Sequence, residues 1–144
     1  MKALLIALLA MVLPAVSAQQ PALPSGVTLW KGGIPPQGIT EKDNYGDHAL
    51  SISHREKSGF VEIHKNKVDV MIIQSGTATL VLGGKGLDLH ETAPNELQGS
   101  SIEGGIQIEV SPGDVIHIPA GTPHQFLLKP STQITYMVVK IISK

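Results

Sequence analysis

Residues Gly113 to Gln125 read GDVIHIPAGTPHQ. Gly113 and Asp114 make a tight turn into a strand over DVIHIP. Pro119 closes that strand because it has no amide to give to a ladder, and Gly121 supplies the backbone freedom of a second turn. His124 then opens the next strand at a fixed place relative to the last. Two strands with pinned ends can aim one imidazole into the interior of a β-barrel.

The chain around this stretch is built from short β runs separated by turn residues. ALSISH alternates small polar residues with Leu50 and Ile52, and FVEIH sets Val61 and Ile63 against Phe60, Glu62 and His64. DVMIIQ and TATLVL flank Ser75 and Gly76, which reads as a hairpin. GGKG is a turn, Leu87 to Leu89 a short run, and His90 to Gly105 the longest loop, a candidate lid over a barrel mouth. IQIEV, DVIHIP, HQFLLK and ITYMVVKII close the chain. After the first eighteen residues no run of a dozen carries a helical apolar period. The expectation is a single all-β domain, a sandwich or barrel of about six to eight antiparallel strands.

The start of the chain is of a different kind. Lys2 is followed by an apolar run from Ala3 to Leu13, then Pro14 and the small residues AVSA. This predicts a secretory signal peptide over 1–18, cut after Ala18, and a periplasmic or extracellular product. The apolar run is short of the roughly 20 residues that span a bilayer. Residues 19–47, rich in Pro and Gly with one strand candidate (VTLW), read as an irregular N-terminal arm, and 48–144 as the β-barrel domain. The absence of cysteine excludes disulfides, thiolate metal sites and a cysteine nucleophile. Loss of Lys2 from eleven basic residues leaves ten against twelve acidic ones. With no basic cluster, neither nucleic acid nor an anionic membrane surface is an expected partner.

Chemistry concentrates in a second stretch, Glu62 to Gly76, EIHKNKVDVMIIQSG. Side chains at i and i+2 of a strand share a face, so Glu62 and His64 stand together, with Asp69 five residues on. That is half of a metal site or an ordinary polar strand face.

Gly113, Pro119, Gly121 and His124 match the second motif of the cupin superfamily, G-x5-P-x-G-x2-H-x3-N, with Leu128 at the Asn position. The chain resembles a cupin from about Ala49 to Ile141. In the first motif, G-x5-H-x-H-x(3,4)-E-x6-G, Gly76 matches the last Gly, Asp69 stands for Glu, His64 is the second His and Glu62 replaces the first. Glu56 stands where the opening Gly falls. A second register puts His64 first and Asn66 second, but the Glu62–His64 register needs no gap before Asp69.

The resemblance implies a cupin-type antiparallel β-barrel (a double-stranded β-helix, or jelly roll). In metal-binding cupins these positions hold a divalent ion, so the ligand set carried over is Glu62, His64, Asp69 and His124. Imidazoles with carboxylates suit Fe, Mn, Ni or Zn. Asp69, one methylene shorter than Glu, can instead orient His64. A barrel that has lost its ion leaves the same residues as a polar pocket for acid–base work or ligand hydrogen bonds. Two functions follow. One is a divalent-metal-dependent enzyme acting on a small molecule, of dioxygenase, isomerase, lyase or decarboxylase type. The other is a non-catalytic module that binds or senses a small ligand. A homodimer is expected, as small cupins often form one.

Other residues carry less. His117 is a candidate for the barrel interior, while His48, His54 and His90 read as surface residues. Asp114 reads as a local backbone partner. Tyr136 and Met137 alternate, so one of them faces the core, and Phe126 and Leu128 give His124 apolar surroundings. No G-x-S-x-G elbow, dinucleotide fingerprint or phosphate loop is present.

Overall fold

A computed structural model describes Pro24, Leu29 and residues 42–143, without the side chains of Lys42 and Asp43. The expected leader and almost all of the stretch 19–41 lie outside the described residues. Thirteen strands, numbered in chain order, form antiparallel pairs throughout, and the described residues contain no helix. One sheet runs β1 (Lys42–Asn44), β2 (His48–Arg55), β13 (Ile134–Ile142), β4 (Lys67–Gly76), β11 (Val115–Ile118). The other runs β10 (Ile106–Val110), β5 (Ala78–Leu82), β12 (His124–Leu127), β3 (Val61–His64), β8 (Glu96–Gly99), β7 (His90–Ala93). A small ribbon pairs β6 (Lys85–Gly86) with β9 (Ile102–Glu103).

The core forms where the inner faces of the two large sheets meet. Met71, Ile73, Ile118, Tyr136 and Val138 from the first pack against Ala78, Leu80, Val110 and Phe126 from the second. Burying each of the larger side chains contributes about 1.5–3 kcal/mol. Strand β4 shows the period-2 pattern behind this layer: Asp69, Met71 and Ile73 are buried in alternation. Its neighbour β13 presents Lys140, Val138 and Tyr136 directly opposite those three. A register shift next to Tyr136, where Gln74 is skipped, keeps the two sets in phase along the interior.

Three expectations from the sequence are corrected here. Ser75 and Gly76 do not form a hairpin: β4 and β5 belong to different sheets, and the chain crosses the barrel at this corner. Gly76 adopts φ +76°, and Thr77 donates its amide to Gln133 O at 3.0 Å. The stretch His90 to Gly105 is not a lid loop but contains β7, β8 and β9. Its polar sequence suits strands at an exposed edge, and Asn95 at φ +66° makes the turn between β7 and β8. The run Leu87 to Leu89 forms no strand, because Asp88 turns the chain at φ +53°.

A Cβ on Gly76 would lie 1.9 Å from Gln133 O. Gly76→Ala is therefore expected to lower stability by at least about 1–3 kcal/mol, read as a lower urea midpoint with an unchanged m-value. An unchanged midpoint would mean that this corner is not fixed by the contact with Gln133.

Candidate metal centre

Register sets the site. On one side of the barrel His124 of β12 stands directly opposite Glu62 of β3. On the other, Lys140 of β13 stands opposite Asp69 of β4. Directly opposite residues point to the same face, so both pairs project inward. The two motif stretches are also tied through the backbone. Gly121, at φ +79°, donates its amide to His64 O at 2.8 Å, which locks the β11–β12 turn onto the end of β3.

The cluster has two imidazoles at its centre, with ring centroids 5.3 Å apart. His124 Nδ1 lies 3.1 Å from Thr122 O. A carbonyl only accepts, so Nδ1 carries the proton and Nε2 is a bare lone pair. That Nε2 is buried and has no hydrogen-bond partner. His64 is oriented in the same way: its Nδ1 meets the Glu96 carboxylate, which Lys67 also holds at 2.6 Å, and its Nε2 faces inward. Around that Nε2 lie Lys140 Nζ at 2.7 Å, Asp69 Oδ2 at 3.3 Å and Glu62 Oε2 at 3.7 Å. Arg55 holds the other oxygen of Glu62 at 3.0 Å and donates to Tyr136 Oη at 2.7 Å.

Burial and charge set the protonation states. Burial pushes Asp69 upward, but His64 and Lys140 outweigh it and hold the carboxyl below its usual range. Burial likewise opposes the ionised Glu96, and Lys67 with His64 overcomes it. For His64 burial acts downward, with Lys140 on the same side, yet the Asp69 and Glu96 carboxylates hold it above its ordinary value. Burial keeps His124 below its ordinary value and so favours the neutral imidazole. Tyr136 is raised by burial, which keeps its hydroxyl protonated beside Arg55.

Comparison with solved structures bears on the fold. An uncharacterised conserved protein with a double-stranded β-helix domain from Klebsiella pneumoniae is 14% identical, with a TM-score of 0.57 over 84% of this chain and 93% of that one. The chain has the cupin fold. A cupin protein from Bacteroides fragilis is 17% identical over 72% of this chain and 77% of its own, with a TM-score of 0.49. A polyketide cyclase from Streptomyces resistomycificus is 23% identical over 65% of this chain, with a TM-score of 0.46. This chain spans about half of that cyclase, 54% of its length. No protein-family model matches the chain. Nor does any curated protein.

Within this cupin barrel, Glu62, His64 and His124 each offer one ligand atom within 4.8 Å of the others. Metal–nitrogen bonds of about 2.1 Å place the ligands of a tetrahedral ion about 3.4 Å apart, so the three must close by up to about 1.4 Å to meet on one ion. The residues fit a divalent metal, and the unpartnered Nε2 of His124 is the atom that such an ion would satisfy. Asp69 is brought to the same cluster, 3.7 Å from His124 Nε2, but both its oxygens are held by Lys140, at 2.8 and 2.9 Å. Asn66, of the other register, sits in the β3–β4 turn.

His117 points outward and is exposed, since its neighbour Ile118 takes the core side of β11. His54 is half-buried rather than a surface residue, its Nδ1 2.8 Å from Thr135 Oγ1. Tyr136, not Met137, faces the core and packs against Phe126, the ring centroids 4.7 Å apart and the planes tilted by 35°. Sequence reasoning missed Lys140, Glu96, Lys67 and Arg55. Lys140 had a signal, a lone charge in the apolar run ITYMVVKII. Glu96 had none, because its strand was read as loop.

Glu96 titrates below its ordinary value of 4.5 in the folded protein, so the unfolded chain takes up the proton first. Its contribution is present above pH 4.5 and is lost as the pH falls through the lowered folded value. Glu96→Gln is expected to flatten the decline of unfolding free energy between about pH 5 and 2, measured by denaturant titration at each pH. A decline as steep as in the wild type would show that Glu96 is not one of the carboxylates that drive acid unfolding.

Proposed function

We propose that the protein is an exported, divalent-metal-dependent enzyme that acts on a small molecule inside the barrel. The observation that carries this reading is the pair of inward Nε2 atoms. Both imidazoles are anchored through Nδ1, His64 to Glu96 and His124 to Thr122 O, which is how metal-ligating histidines are held. With Glu62 they make a two-histidine, one-carboxylate set that suits Fe, Mn, Ni or Zn. A bound ion supplies Lewis acidity to a substrate oxygen.

The chain's own residues define the rest. Glu62 and His124 line a narrow cleft of about 10 Å³ with Arg55, Phe60, Met71 and Tyr136. That is far below the roughly 300–1,000 Å³ of pockets for drug-sized ligands, so the cleft admits a substrate of few atoms at most. Arg55 fixes Glu62 from the far side and so orients its free oxygen towards the imidazoles. Phe126 and Met71 supply apolar walls that keep water from the reacting centre. The leader pattern over 1–18 supports export.

Elemental analysis of protein purified from exported material without chelator or histidine tag tests this reading. Near-stoichiometric Fe, Mn, Ni or Zn, lost in both His64→Ala and His124→Ala, is the expected result. Absence of metal after reconstitution with all four ions would overturn it. One observation favours a second reading, a metal-free ligand-binding module: Lys140 already brings a positive charge to the cluster. Tight ligand binding, abolished in His124→Ala and without turnover in a substrate screen, would support that alternative.

A further inference from the structure

We propose that Lys140 is an internal counter-cation that withholds Asp69 and His64 Nε2 from a metal ion, and so sets both the affinity of the site and the number of its ligands. The inference rests on the metal reading above but concerns a residue that reading does not use.

The geometry is specific. Lys140 Nζ lies 2.8 and 2.9 Å from the two oxygens of Asp69 and 2.7 Å from His64 Nε2. The Asp69 side chain is 1% exposed, and a carboxylate at that depth demands a partner. Its Oδ2 stands 3.3 Å from His64 Nε2 and 3.7 Å from His124 Nε2, near enough to serve as a fourth ligand. It is held back by the ammonium rather than by distance.

His64 is affected in a second way. A single imidazole lone pair cannot accept from Lys140 and bind an ion at once. Metal entry therefore requires Nζ to leave His64, and a divalent ion close to an ammonium in a poorly solvated interior is repelled by it. Lys140 has somewhere to go. Its side chain is 19% exposed and borders a hollow of about 70 Å³, lined also by Asn44, Gly46, His48 and Lys67. His124 Nε2 has no such competitor and stays open to an ion throughout.

Removing the ammonium should then do two things: free the His64 lone pair, and turn Asp69 into a ligand. The test is Co(II) binding to the full mature chain, followed by calorimetry and by visible absorption, which reports ligand number. Lys140→Met is expected to bind Co(II) about tenfold or more tightly than the wild type, with a spectrum altered by the added carboxylate. The double variant Lys140→Met, Asp69→Asn leaves no unpaired buried charge and guards against loss of folding, which circular dichroism checks. It is expected to bind more tightly than the wild type, with the wild-type spectrum.

Equal or weaker binding in both folded variants, with metal still bound by the wild type, would overturn the role of Lys140 and leave the metal reading standing. Binding by Lys140→Met but not by the wild type would uphold Lys140 and overturn the metal reading of the natural chain. Binding by none of the three proteins would overturn both.

Discussion

The ion pair between Asp69 and Lys140 is the constraint on which the barrel's interior is organised. Asp69 occupies a core position of β4, in phase with Met71 and Ile73, and is almost fully buried. A charge in that place is tolerated only with a partner, and breaking such a pair typically costs about 3–5 kcal/mol. The partner comes from the strand across, so the pair specifies one register between β4 and β13. A slip by one residue would turn Lys140 outward and leave Asp69 alone in the core.

The rest of the site follows from that register. Tyr136 and Val138 take their places opposite Ile73 and Met71, and Tyr136 in turn receives Arg55, which positions Glu62. The second sheet then brings His124 opposite Glu62, and the turn at Gly121 fastens His64 by its carbonyl. Each sheet contributes one cross-strand pair on its inner face, and the cluster forms where the pairs meet. Its charges are nearly matched within a small volume, with Glu62, Asp69 and Glu96 facing Arg55, Lys67 and Lys140. That matching lets so many ionisable groups sit close to an apolar layer.

A cupin fold by itself carries no particular chemistry. In this barrel an ammonium stands among the groups that the resemblance to the cupin motif led one to expect as ligands. His124 Nε2 has no partner, while His64 Nε2 and Asp69 are both engaged by Lys140. Affinity for metal in such a site is set as much by what already satisfies the donors as by the donors themselves.

The sequence by itself determined the all-β class, the pinned strand ends around Pro119 and Gly121, and the shared strand face of Glu62 and His64. Each of these depends on local rules: backbone freedom, a missing amide, or the two-residue period of a strand. The leader pattern is also local, and its consequence for export stands as the proposal made above. Only the tertiary structure decided that Gly76 is a corner between sheets, because a glycine turn looks the same whether the chain returns on itself or crosses over. The strands at His90 to Gly105 were hidden because an exposed edge needs no apolar alternation, and Glu96 was lost with them. Lys140 is 71 residues from Asp69 in the chain, and no local pattern encodes a contact over that span. It is fixed by strand register, which depends on which faces are buried together.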